Sequence, residues 1–219
     1  MNIFTRLFNN KPQLEFVEDN NGLHQLGGEI PQNFKIPEND FWAGMQYLGF
    51  INNKDEHFSW LPFTLHLLCP VFTDFDYLYL DYKNPESPII LYPSDTATIT
   101  TAYDELNRES FVVYETLKVS LKPFAGINED NEDRVIGISG KPYWEQHEYW
   151  PQCPETKKKM RFVAQLMSND HVKSSHRNFG GHNDFYEEIF SAMNFWIDGD
   201  LKIFFEPSSK IACYFIQNT

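Results

Sequence analysis

A chain of 219 residues with 42% apolar and 16% aromatic side chains can fill a large core, which excludes a disordered protein. Its 18 Lys and Arg against 31 Asp and Glu leave a net charge of −13, which disfavours nucleic acid and suits a basic protein partner. Three cysteines, at 69, 153 and 213, are odd in number and lack framework spacing, as expected in a reducing compartment. The first ten residues are too short and too interrupted for a signal-peptide apolar region, and no apolar run approaches the ~18 residues of a membrane span. The expectation is a soluble cytoplasmic protein, with no membrane association.

In chain order, Ile3, Phe4, Leu7 and Phe8 fall on one helical face and are expected to dock on the protein's own core. The run from Phe63 to Phe72 is mostly apolar, and Phe75 to Tyr82 alternates aromatic and polar residues as a half-buried strand requires. Ser94 or Asp95 opens a candidate helix reaching Leu106. Phe111, Val113, Leu117, Val119 and Leu121 share one parity, which predicts a long amphipathic strand. Asp184 is positioned to cap a helix in which Phe185, Ile189 and Met193 recur every four residues. Asn194 to Ile197, the Asp198-Gly199 pair and Asp200 to Glu206 read as a hairpin. A second turn at Pro207-Ser-Ser leads into Ile211 to Ile216, apolar on both faces and expected inside a sheet.

Three features recur in the same order. Gly27-Gly-Glu-Ile-Pro31, Met45-Gln-Tyr-Leu-Gly-Phe-Ile51 and Asp76-Tyr-Leu-Tyr-Leu80 are echoed by Ser139-Gly-Lys-Pro142, Met160-Arg-Phe-Val-Ala-Gln-Leu166 and Asp200-Leu-Lys-Ile-Phe-Phe205. The pattern predicts one compact unit over 1–219 with two pseudo-equivalent halves, about 23–122 and 134–217, meeting at the acidic loop 128–133.

No motif dictates a chemistry. Cys153-Pro-Glu-Thr156 offers one thiolate where zinc takes four ligands, and reads as a turn. Cys69 and Cys213 read as small buried hydrophobes. His171, His176 and His182, beside Gly180-Gly181, have spacings that put no two on one helix face, and read as a mobile polar loop. Trp144-Glu-Gln-His-Glu-Tyr-Trp150 crowds Glu145, His147 and Glu148 among aromatics. Adjacent residues on a turn diverge, so aromatic packing with an exposed charged edge is expected. A small-molecule enzyme would need Glu145 or Glu148 to converge with a His in a deep pocket. Lys157-Lys-Lys159 with Arg161 reads as a solvated basic loop. Glu129, Asp130, Glu132 and Asp133 share the sign of the whole chain and are the candidate contact for a basic partner. No catalytic, cofactor-binding or metal-binding residue is assigned.

The strings Ile138-Ser-Gly-Lys-Pro-Tyr-Trp144, Trp150-Pro-Gln-Cys-Pro154 and Met160 to Leu166, with the terminal Asp200 to Pro207, resemble the second half of the bacterial YwqG-like family. The resemblance implies an α+β, mainly antiparallel fold of two related halves with few short helices. It also implies a place near bacterial toxin–immunity loci. A distant eukaryotic family with similar motifs escorts a ribosomal protein. The expectation is therefore a non-enzymatic acidic module that neutralises a cognate toxin by binding it. A chaperone for a basic client, or an enzyme with a site near Trp144–Trp150, stands as the alternative.

Overall fold

The computed structural model describes residues 12–37, 44–73, 75–92, 106, 109–126, 135–181, 183–196 and 199–218. They form a mainly antiparallel β protein with one short helix. Eleven strands make one sheet: β1 (Leu14–Glu18), β2 (His24–Leu26), β3 (Met45–Ile51), β4 (Leu65–Pro70), β5 (Leu78–Asp81), β6 (Ile89–Tyr92), β8 (Leu117–Pro123), β9 (Gly137–Ser139), β10 (Arg161–Met167), β12 (Asp200–Glu206) and β13 (Ile211–Gln217). Their spatial order is β4-β3-β2-β8-β1-β9-β10-β12-β13-β5-β6. β7 (Phe111–Tyr114) and β11 (Ser174–Asn178) pair separately, and α1 spans Asp184–Ile189.

The sheet's centre of gravity lies in β10, β12 and β13, which are buried on both faces and read as near-continuous apolar runs. One face carries Leu201, Ile203, Phe205, Ala212 and Tyr214 into the main core. The other carries Phe162, Phe204, Cys213 and Phe215 beneath Trp144, Tyr149 and Trp150 of the segment between β9 and β10. The sheet also rolls. The Tyr82 hydroxyl, just after β5, donates to the His66 carbonyl of β4 at 2.7 Å and lies 3.0 Å from the Tyr214 hydroxyl of β13.

Two stretches of the sheet share their register. Against β4, β3 shifts register between Tyr47 and Gly49; against β12, β10 shifts between Phe162 and Ala164. With Tyr47 set on Phe162, Phe50 falls on Gln165, and their partners across the other edge are Gln25 and Ile138. Two residues beyond those partners stand Gly27 and Gly140, with φ of 63° and 82°. A side-chain carbon at Gly27 would sit 2.1 Å from the Glu115 carbonyl, and one at Gly140 would sit 2.3 Å from that of Pro12. β8 and β1 complete the two sets, Leu117 facing Leu26 and Leu14 facing Ser139.

Several sequence expectations are corrected. The 111–121 stretch is two strands in different sheets, interrupted at Glu115, whose N–H donates to the Lys173 carbonyl. Residues 194–196 form no strand. Instead Gly199 N–H closes a turn on the Phe195 carbonyl, and the hairpin is β12–β13. The helix cap is Asn183, whose side chain accepts from Phe185 and Tyr186 N–H, and the helix stops at Ile189 rather than Met193. His176 lies in β11 rather than in a loop, while His182 lies outside the described residues. So do the N-terminal apolar turn, the 94–105 part of the candidate helix, Asp198 and the acidic loop with Glu129, Asp130, Glu132 and Asp133.

Candidate functional site

The segment 140–159, which connects β9 to β10, covers the outer face of the sheet and sorts its charged residues to two sides. Its aromatics set the geometry. Trp144 stacks on Phe204 at 6.3 Å between centroids, Trp150 meets the same ring edge-on at 5.4 Å, and Tyr149 meets Phe215 at 5.7 Å. The Tyr79 hydroxyl donates to the Gln152 carbonyl, and Gln217 Nε2 donates to the carbonyl of His147.

On the inner side lies a buried ionic cluster. Lys202 on β12 and Gln165 on β10 are cross-strand partners, so their side chains share one face. The Lys202 ammonium is fully buried and donates to Glu145 Oε2 at 2.5 Å, and the Glu145 side chain is 5% exposed. Gln165 Nε2 donates to Glu145 Oε1 at 3.0 Å and to Asp200 Oδ2 at 2.5 Å, while its Oε1 accepts from Tyr143 N–H. Two carboxylates thus share one glutamine amide, and one of them the ammonium, in a desolvated place. Burial first, then the neighbouring Glu145, raises the Asp200 carboxyl to about 8, so it holds a proton at neutral pH. Burial pulls the Lys202 pKa down, opposed by Glu145 and Asp200. The charged edge expected at this segment is therefore internal at Glu145.

On the outer side a cleft of about 580 Å³ opens at the start of β10. Its walls include Trp60 and His57, contributed by a 3-10 turn (Glu56–Phe58) and the residues after it, with Lys141, Trp150, Lys159 and Arg161. The Arg161 guanidinium carbon lies 3.9 Å from the Trp60 ring centroid, and Lys159 Nζ lies 4.0 Å from that of Trp150. Glu148 turns to the Trp150 indole, accepting from Nε1 at 2.6 Å. His57 Nε2 is within 3.1 Å of Ser139 Oγ, which itself donates to the Val163 carbonyl.

Glu145, His147 and Glu148 thus do not converge on one atom: Glu145 faces inward, Glu148 is held by an indole, and His147 is exposed. All three cysteines are free and buried. Cys153 Sγ lies 3.2 Å from Ser209 Oγ and accepts weakly from Thr156 N–H. Burial pushes that thiol upward, but these hydrogen bonds outweigh it and leave its pKa lowered. Burial raises the Cys69 and Cys213 thiols well above the ordinary range. Among the described residues no group of three or more His, Cys, Asp or Glu gathers as a metal site would require, and no helix is long and apolar enough to cross a membrane.

Sequence reasoning missed Lys202 as the partner of Glu145, because the two are 57 residues apart. The one available signal was a lysine in the apolar strand Asp200 to Phe205. It also took Lys159 and Arg161 for a solvated run; Lys159 is exposed though it lies over Trp150, whereas Arg161 is half-buried against Trp60. Comparison with protein-family models, with curated proteins and with solved structures finds no match for this chain.

Proposed function

We propose that this chain is an acidic binding module that neutralises a basic protein, most economically a cognate bacterial toxin held in the cytoplasm. The observation that carries the reading is the net charge of −13. A field of that sign steers a cationic partner and raises its association rate at low salt. The carboxylates nearest a cleft are engaged by Lys202 and by an indole, which favours binding over acid–base chemistry. In this reading the 129–133 carboxylates stand in for the toxin's anionic substrate and block its active site.

Coexpression with whatever toxin-like gene is encoded beside it tests the reading. Rescued growth and coelution in modest salt are expected. Death of the doubly expressing cells with no complex overturns it, and recovery of an unassembled ribosomal protein instead would favour an escort role.

We also infer that the halves 23–122 and 134–217 descend from one duplicated unit, with β1 completing the second half. The shared register shift, the paired left-handed glycines and the equivalent facing residues support this. In this pairing β4, and not the Asp76–Leu80 strand β5 that the sequence echo matched, stands in the place of β12. A superposition of β2-β3-β4 on β9-β10-β12 that fails to bring Gly27 onto Gly140 and Leu48 onto Val163 would overturn it.

A further inference from the structure

We propose that the cleft between Trp60 and Trp150 is a binding site for a small aromatic anion, a planar ring carrying a phosphate or carboxylate group. The first argument is charge. In a chain with 31 acidic and 18 basic residues, three cations face one cleft. None of Lys141, Lys159 and Arg161 forms an ion pair among the described residues, and Arg161 is half-buried. The one carboxylate in the described lining, Glu148, is held by Trp150. A cation partly withdrawn from water without a counter-ion is a cost that a bound anion removes. Burial does lower the Arg161 pKa.

The second argument is shape. A guanidinium packed on the Trp60 ring still offers N–H groups for a forked contact with phosphate or carboxylate. A guanidinium is also a flat cation on which a further ring can stack. Lys159, lying over Trp150, and Lys141 supply two further positive heads to the same lining. The volume, about 580 Å³, is that of a site for a mononucleotide-sized ligand.

The third argument compares two places of equal register. With Tyr47 set on Phe162, Arg161 occupies in β10 the place of Gln46 in β3. Gln46 is buried and closed off, its Oε1 accepting from the Val112 N–H of β7 at 2.9 Å. Arg161 instead faces the cleft.

The test is calorimetric titration of the full chain with adenosine monophosphate, phenyl phosphate and benzoate, against adenosine and inorganic phosphate as half-ligands. At least one of the three aromatic anions should bind about tenfold or more tighter than either half-ligand. The better of the phosphate and carboxylate probes identifies the anionic group. Arg161→Gln should weaken it by about tenfold or more, and Lys141→Gln and Lys159→Gln, at exposed positions, by roughly threefold each with unchanged circular dichroism. Failure of all three probes to bind at about 5 mM overturns the proposal. So does inorganic phosphate binding as tightly as the aromatic anions, or affinity unchanged in Lys141→Gln, Lys159→Gln and folded Arg161→Gln.

Discussion

At Asp200, Glu145 and Lys202, three ionisable groups share a space with room for one ion pair. Because the folded chain holds the Asp200 proton up to about pH 8 and the unfolded chain releases it in the ordinary carboxylate range, the stability tied to it is complete at low pH. It is lost as pH rises toward 8. Asp200→Asn keeps the acceptor for Gln165 and removes the titration. Its urea midpoint should therefore gain on the parent chain between about pH 5 and pH 9; parallel curves would sink this assignment. Glu145→Ala leaves the fully buried Lys202 without its nearest counter-ion and should cost about 3 kcal/mol, part of which Lys202→Met restores in the double variant. His24 titrates in the opposite sense. Asn52 N–H donates to its Nδ1, so Nε2 carries the proton and donates to Asp55 at 3.2 Å. Burial lowers its pKa against the pull of Asp55, so its contribution is lost as pH falls below the ordinary histidine value.

Among the elements, the register shift in β3 depends on Gly49, at φ 111°, where an added side-chain carbon would lie 2.1 Å from the Gln25 carbonyl. Gly49→Ala should cost more than about 2 kcal/mol in chemical denaturation, whereas Ala164→Gly, at the matching place in β10, should cost only about 1 kcal/mol. A similar loss in both would mean that the register shift in β3 does not depend on the positive φ of Gly49. β13 was legible in the sequence because a run apolar on both faces admits few placements other than a covered sheet, and β12 because the turn at Pro207-Ser-Ser joins it to that run. The break at Glu115 was not legible. It arises where Gly28 N–H meets the Tyr114 carbonyl and Glu115 N–H meets Lys173, partners far away in the chain. The cap at Asn183 was missed by one residue because Asn183 and Asp184 are both good caps, and only backbone geometry separates them. The Trp144–Trp150 segment was found from its composition, but the inward turn of Glu145 depended on strands 20 to 57 residues away.

For the whole molecule, the hydroxyls of Tyr82 and Tyr214 tie strands near opposite ends of the sheet order to one another. Tyr82→Phe removes the donor to the His66 carbonyl and the partner of a buried phenol, and should cost roughly 1–3 kcal/mol by urea denaturation. A loss below about 0.5 kcal/mol would show that the sheet's roll is held by apolar packing alone. The same roll brings Trp60 against Phe205 at 6.4 Å, setting one wall of the cationic cleft from the first half and the other from the second. The cleft therefore requires the rolled sheet as a whole.

The central position of β1 has a consequence for biosynthesis. Leu14 to Glu18 are made about 100 residues ahead of their partners, Ser139 and Ile138 on one side and Val119 to Pro123 on the other. At roughly 5–20 residues per second, β1 waits on the order of 5–20 s with both edges unpaired. During that interval its backbone donors and acceptors, beside Leu14, Phe16 and Val17, can template pairing with a neighbouring nascent chain. Chains stalled before Pro123 should therefore aggregate or recruit holdases, while chains released after β9 should close the centre of the sheet unaided.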